Sequence, residues 1–192
     1  MGYPDPATIR AYHGTGAEEE DNLRMDPSAS ALLAMDHVHH QIHEGNLYHF
    51  STLSTALANA GTIDLIWYTG ATPAHLAFDG ACGCDARMDF FEGPTATTQS
   101  VRTLRCLNRV VGDGGASSTL TVVSVMASDG THLQTLVMTT GSGLGSSGRG
   151  VGPRHEWVCA PSTKYLIRLT NLGGVANLAA VTVEAYEHTP IN

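Results

Sequence analysis

Histidine is the residue type in this chain with the clearest capacity for chemistry. Six of the ten histidines fall within the first 50 residues, and the tightest group is His37, His39, His40, His43 and His49. Neutral imidazole is a common metal ligand. A helix would place His39 with His43 and His40 with Glu44, whereas a strand would place His37 with His39. Each pair is a candidate half of a metal site, and ordinary hydrogen-bonded histidines are the preferred interpretation.

The same group resembles the first metal motif of the cupins, which are jelly-roll metalloproteins. The matching residues are His37-Val38-His39 and, five residues later, Glu44. The resemblance implies a metal-dependent enzyme in which His37, His39 and Glu44 bind the ion. The second cupin motif has only Gly-Pro-Arg-His at 152–155 as a counterpart, at the wrong spacing. We keep this enzyme as an alternative, together with a metal on an oligomer's symmetry axis, and predict no metal ligand.

The cysteines form the second candidate site. Cys82-Gly83-Cys84 would place two thiols on one face of a strand, and a zinc site would need two further ligands. Only Cys106 and Cys159 remain to supply them. Because the first 25 residues lack the apolar core of a signal peptide, we expect reduced, buried and inert thiols.

Two further patterns are weaker. Residues 141–154 contain six glycines, but phosphate-binding glycine loops join a strand to a helix, and here strands are predicted on both sides. We predict a surface loop. Asp64 and Glu92 are single acids within apolar strands, expected at strand ends or rims. The sequence shows no nucleophile elbow and no separated carboxylate pair, so we predict no catalytic residue, no cofactor and no enzyme activity.

Charge is unevenly distributed along the 192 residues. The net charge is −8; residues 1–44 hold eight acids and two bases, a net of −6, which leaves −2 for the rest. Phosphate contacts need clustered Lys and Arg, and an acidic leader with a near-neutral body offers no aromatic-plus-basic stripe, so nucleic-acid binding is not expected. No apolar run approaches the length of a membrane span. With only 15% charged residues, the surface is either covered by partners or that of a polar, uncharged β protein.

Local patterns divide the chain into residues 1–44, an acidic arm with a short helix, and residues 45–192, a β domain. Residues 1–27 have too little apolar content to fix a shape alone. They are either a disordered tail or an arm that docks on a partner. The helix is predicted over Ser28–Glu44, with Ser28 as its cap and Gly45 as its stop.

The remaining sequence predicts an all-β fold. Period-two apolar runs joined by glycine turns indicate antiparallel strands. Tight turns are predicted at Asp79-Gly80, Asp113-Gly114 and Asp129-Gly130. We predict ten strands: Leu47–Leu57, Thr62–Thr69, Ala74–Asp79, Cys84–Glu92, Val101–Val110, Thr119–Ala127, Thr131–Thr140, His155–Cys159, Lys164–Thr170 and Asn177–Glu187. Strands at this spacing, without helices between them, are typical of a jelly-roll or β-sandwich.

An ordered series of motifs resembles the jelly-roll head decoration (cement) proteins of tailed bacteriophages. The series covers residues 39–188, and its motifs are His39–Gly45 (HHQIHEG), Glu92–Thr95 (EGPT), Asn108-Arg109, Glu156–Val158 (EWV), Thr163–Arg168 (TKYLIR) and Tyr186–His188 (YEH). The glycine common before the Asn-Arg segment is absent, and residues 1–38 match nothing in the pattern.

The resemblance implies a virion structural protein that forms homotrimers on the outer capsid surface and bridges adjacent capsomers. Its partners would be the major capsid protein and other copies of itself, and it would assemble in the host cytoplasm. We hypothesise that the acidic arm docks on the shell protein. A tail or host-recognition β module is a further alternative, since the same architecture and glycine-rich loops would serve it.

Overall fold

The first described elements precede the β domain. The computed structural model describes residues 25–26, 31–32, 37–113, 115–139 and 156–187. The chain divides into two units, residues 1–40 and 41–192. In the first unit, β1 (Met25–Asp26) pairs antiparallel with β2 (Ala31–Leu32). Residues 1–24 of the predicted arm, and all of the glycine-rich segment 141–154, lie outside the described residues.

One helix, α1, spans His37–Glu44. The predicted start at Ser28 is wrong, because Ala31–Leu32 forms a strand; Ser28 itself lies outside the described residues. The predicted stop is confirmed. Gly45 adopts φ +78°, and the Asn46 N–H bonds back to the Gln41 carbonyl at 3.0 Å. This left-handed closure is the usual role of a glycine that follows a helix. Within the described ranges, no helix is both long and apolar enough to cross a membrane.

Antiparallel strands make up the rest of the described chain, which confirms the all-β fold class. Their bounds are β3 (Leu47–Leu57), β4 (Thr62–Tyr68), β5 (Ala74–Cys82), β6 (Ala86–Glu92), β7 (Thr95–Arg102), β8 (Arg105–Cys106), β9 (Thr119–Ser128), β10 (Thr131–Met138), β11 (Trp157–Cys159), β12 (Lys164–Asn171) and β13 (Asn177–Glu187). They form a six-stranded sheet, in the order β10-β6-β12-β4-β9-β7, and a five-stranded sheet, in the order β11-β5-β13-β3-β8.

The strand pairing is that of a jelly roll. β3 pairs with β13, β4 with β12, β5 with β11 and β6 with β10. The pairs are therefore nested in sequence order, with β3 and β13 as the outermost pair. Successive strands from β3 to β6, and from β10 to β13, alternate between the two sheets. One long antiparallel ribbon is therefore wrapped into two facing sheets. β13 lies between β5 and β3 in the middle of its sheet, so it is anchored along both edges.

An inserted ribbon covers the outer face of the six-stranded sheet. The β6–β10 ladder ends at Glu92 and Thr131, and the β7–β9 ladder begins next to it. Gly93 and Gly130 form the bend with φ +74° and +86°. A side chain at position 130 would overlap the Glu92 backbone. β9 then pairs with β4 on the far side of β12. The insertion therefore crosses the sheet.

The main core lies between the inner faces of the two sheets. Phe90 lies at its centre, with ring centroids 4.9 Å from Phe78, 5.2 Å from Trp157 and 5.6 Å from Tyr165. Strand alternation determines which side chains of β12 reach this core: Tyr165, Ile167 and Leu169 point inward.

A second, smaller core and an ion-pair network lie on the outer face of the same sheet. Ile66 and Leu166 are buried under Ala96 and Met126 of the inserted ribbon. Beside them, Arg168 donates to Asp64 at 2.7 and 3.1 Å and to Asp129 at 2.7 Å. Asp129 belongs to the ribbon's bend, so Arg168 ties the ribbon to the sheet. The rim position predicted for Asp64 is wrong, since Asp64 is buried in mid-strand; Glu92 ends β6 as predicted.

Two other local predictions are wrong. The strand expected over Val101–Val110 is split, since β7 ends at Arg102 and β8 covers only Arg105–Cys106. The turn expected at Asp79-Gly80 is part of β5, where a Cβ at Gly80 would overlap Met88 and Leu169. Asp129-Gly130 forms the predicted turn. Gly114 lies outside the described residues.

Candidate functional site

An open polar cavity of about 410 Å³ lies at one end of the β domain. Five segments surround it: α1, the start of β3, the β4–β5 connection, the β8–β9 connection and the end of β13. Its lining residues are Gln41, Glu44, Asn46, Tyr48, Thr72, Gly115 and Glu187. Two carboxylates and two amides make it suited to hold a polar group by hydrogen bonds.

Glu187 is the most strongly held of these residues. It accepts hydrogen bonds from the Ser117 N–H at 3.1 Å, the Ser117 hydroxyl at 2.6 Å and the Ser118 N–H at 2.6 Å. Burial acts to raise its pKa, but these hydrogen bonds outweigh burial and lower the pKa below its ordinary value. Burial raises the pKa of the neighbouring Tyr48, helped by the negative charge of Glu187. Glu187 therefore fastens the 115–118 segment to β13.

Gln41 has an unsatisfied acceptor at the same place. Its side chain is 6% exposed, and its Oε1 forms no hydrogen bond. A buried acceptor without a donor costs about 1–3 kcal/mol. The cavity thus combines negative charge with one unpaired amide oxygen.

A His–Glu–Tyr cluster, which was not predicted as a site, lies on the outer face of the five-stranded sheet. Glu156 Oε1 accepts a hydrogen bond from the Tyr186 hydroxyl at 2.6 Å and contacts His75 Nδ1. The His75 and Tyr186 rings stack with centroids 4.5 Å apart. His75 and Tyr186 are direct cross-strand partners, whereas Glu156 precedes the three-residue strand β11. The cluster joins β11 to the centre of the sheet.

The structure places four of the five grouped histidines, His37, His39, His40 and His43, on one helix. His39, His40 and His43 are exposed on α1, while His49 is on β3 with its Nδ1 3.9 Å from Glu184. Residues 37–44 are helical, so the strand alternation behind the cupin-like interpretation is not formed. Among the described residues, no group of three His, Cys, Asp or Glu side chains could hold a metal ion.

The four cysteines are buried, as predicted, and none forms a disulfide. Cys82 and Cys84 sulfurs lie 3.1 Å apart, and the Cys84 thiol donates to Asn171 Oδ1 at 2.9 Å. Burial and the adjacent Cys82 thiol raise the pKa of Cys84 to about 11. Burial likewise raises the pKa of Cys159 to about 12. Both thiols therefore stay protonated and unreactive near neutral pH.

The motifs that carry the phage-protein resemblance contact each other. Three hydrogen bonds join them in pairs: Asn108 Nδ2 to the His43 carbonyl at 2.8 Å, the Tyr165 hydroxyl to Glu92 at 3.0 Å, and the Tyr186 hydroxyl to Glu156 at 2.6 Å. Each bond links segments far apart in sequence. The motifs therefore act as determinants of the fold. His188 of the last motif lies outside the described residues.

An exposed apolar row crosses three strands of the five-stranded sheet. Leu53 of β3 faces Ala180 of β13, which faces Ala81 of β5. Leu53 is 60% exposed, and Leu178, which precedes Ala180 on the same strand, is 55% exposed. Directly paired residues lie on the same face of a sheet. We call Leu53, Ala81, Leu178 and Ala180 the apolar row.

The apolar row was missed in the sequence, although β3 contained a signal. Tyr48 and Phe50 alternate into the core, so Leu53 falls in the phase that faces outward. Leu53 lies between Ser51 and Thr55 on the outward face of β3, and this apolar interruption is the signal that the sequence contained.

The fold defines this chain as a jelly-roll β-sandwich with an inserted ribbon. Comparison of the chain with models of known protein families, with curated protein sequences and with solved structures gave no match. The functional assignment therefore rests on the geometry and on the motif series.

Proposed function

We propose that this chain is a virion structural protein: a capsid decoration, or cement, protein. It forms trimers on the outer capsid surface, binds the major capsid protein and bridges adjacent capsomers. In this way it stabilises the DNA-filled head. Its role is mechanical, and we assign it no catalytic step.

The apolar row is the observation that carries the proposal. Large apolar side chains on the outside of a folded sheet mark contact surfaces. The row lies on three adjacent, hydrogen-bonded strands, so its members are held next to each other by the register of the sheet. A threefold ring is closed by a heterologous contact, in which one apolar patch meets a different patch on the next copy. The apolar row supplies one of those patches.

The motif contacts support the same proposal. Residues that fix the long-range pairing of a jelly roll are those that related decoration proteins would share, whatever their surface. Asn108, Glu156 and Tyr186 form such bonds here.

An interface of ordinary size would supply enough energy for this role. A standard interface buries about 1,600 Å² in total. At about 25 cal/mol per Å² of apolar surface, its gross stabilisation is large before association costs are subtracted. Repeated over every capsomer junction, this energy would oppose outward pressure from the packaged DNA.

The copy number in purified virions tests the proposal. Quantitative mass spectrometry would compare this chain with the major shell protein, and we expect parity or a simple fraction of the shell copies. A few copies to a few dozen would contradict decoration and indicate a tail or host-recognition component. Complete absence would contradict a virion role and favour the cupin-like alternative. That alternative predicts a stoichiometric metal lost in His39→Ala.

A further inference from the structure

A second exposed apolar feature lies in the connection between β8 and β9. Residues 107–112, which we call the valine turn, present Val110 at 97% exposure, with Val111 and Leu107 also exposed. An almost fully exposed valine at the tip of a turn is a group whose burial a partner would favour.

The valine turn is held in one shape. The Asn108 side chain donates to the His43 carbonyl at 2.8 Å and accepts from the Val110 N–H at 3.1 Å. The N–H groups of Val111 and Gly112 both bond to the Asn108 carbonyl at 3.2 Å. A binding element ordered in advance loses little conformational entropy on docking.

Charge around the turn differs from that of the rest of the chain. Residues 101–113 contain Arg102, Arg105 and Arg109 against Asp113 alone, a net of +2. Since the whole chain carries −8, the remaining residues carry −10. Arg105 and Arg109 both pair with the single carboxylate of Asp113. Exposed guanidinium groups therefore flank the apolar tip.

These observations point to one kind of partner. We infer that the valine turn is the contact to the shell protein, inserting Val110 into an apolar hollow whose rim is acidic. The inference rests on the proposed function, because it places the shell protein opposite this turn. The apolar row, on the face of the sheet, is then left for contact between copies of this chain. Nucleic acid is disfavoured as the partner, since a net of −10 elsewhere on the chain would repel it.

Binding to capsids that lack this chain tests the inference. The probe is the purified full chain, titrated onto undecorated capsids, with bound copies measured by co-sedimentation. Val110→Asp should weaken binding about tenfold or more, as expected for a central apolar contact. Val110→Lys should weaken it less, because an acidic rim repels aspartate and attracts lysine. The matched control is Val137→Asp on β10, where the valine is 68% exposed; it should bind like the unaltered chain.

Salt provides a second measurement on the same samples. Binding of the unaltered chain should weaken as salt is raised, and Arg102→Glu should reduce both affinity and salt dependence. Arg102 lies outside the valine turn, so this change leaves the turn's hydrogen bonds intact.

The outcomes separate the inference from the proposed function. If Val110→Asp, Val110→Lys and the unaltered chain bind capsids equally, the valine turn is not the shell contact, although decoration stands. If Val110→Asp instead changes the oligomeric state in solution, the turn contacts another copy and the inference is overturned. If no variant and no unaltered chain binds, the proposed function fails as well.

Discussion

The central strands of the two sheets differ in whether the apolar side chains on their outer faces are covered by the same chain. The six-stranded sheet has apolar residues on its outer face, Ile66 and Leu166, and the chain buries them under its own inserted ribbon. The five-stranded sheet has apolar residues at Leu53 and Leu178, and within the described chain they stay exposed. An apolar strand position thus does not reveal by itself whether it is buried by the same chain or by a partner.

The largest expected effect comes from removing the ion pairs of Arg168, which tie the inserted ribbon to the outer face of the six-stranded sheet. Arg168→Met leaves the buried Asp64 without its ion pair and releases Asp129 of the ribbon's bend. Removing one partner of a buried pair costs about 3–5 kcal/mol of unfolding free energy, measurable by urea denaturation. The double variant with Asp64→Leu should recover much of the loss. A control, Arg105→Met, should cost under about 1 kcal/mol, since Asp113 keeps Arg109. A loss as small for Arg168→Met would show that the ribbon is held by packing alone.

Truncating one aliphatic side chain on each face sharpens the contrast. Ile66→Ala should lower the unfolding free energy by about 2–4 kcal/mol, because it opens a cavity beneath the ribbon. Leu53→Ala should change it by no more than about 0.5 kcal/mol in dilute monomer. The same Leu53 variant should dissociate at higher protein concentration than the unaltered chain, measured by analytical ultracentrifugation. Equal losses of monomer stability would refute the distinction between the faces.

The smallest expected effect concerns Asp113, in the connection that follows β8 at the edge of the five-stranded sheet. Hydrogen bonds from Arg109 and Arg105 lower the pKa of Asp113 to about 2, from an ordinary value of 3.8. A depressed folded-state pKa contributes stability that is complete above the ordinary value and is lost as pH falls through about 2. The Cys106 N–H, which donates to Asp113 at 3.1 Å, should therefore shift in NMR spectra with a midpoint near pH 2. A midpoint near pH 4 would mean that the arginines do not hold the turn.

Local sequence predicted the elements well where one face is buried. β3 and β13 have the predicted bounds, because period-two apolar residues run along them and Gly45 and Gly174 lie just before them. Predictions failed where packing overrides local preference. Asp79-Gly80 has the composition of a turn, yet Gly80 is needed in mid-strand because Met88 and Leu169 occupy the space of a side chain. Asp64 looked like a rim residue because its partner, Arg168, is 104 residues away.

The candidate surfaces were less predictable than the fold. The histidine spacing was compatible with either a helix or a strand at 37–44, and the helix forms without a three-ligand metal group among the described residues. Val110 lies in a segment predicted as a strand, and its exposure follows from the break after Cys106. Leu53 could have been found from its phase in β3. Its neighbours in the apolar row could not, because their register depends on strands more than 25 residues apart in sequence.

The position of β13 in the middle of its sheet has a consequence for biosynthesis. β3 and β5 are translated first, but the strand that joins them, Asn177–Glu187, emerges last. While the ribosome is still translating, both strands must wait with unpaired edges, which are the sites where chains associate wrongly. A nascent chain stalled before residue 177 would therefore remain an open, aggregation-prone sheet. Synthesis of residues 177–187, rather than local structure formation, would therefore set the earliest moment at which the five-stranded sheet acquires its native strand order.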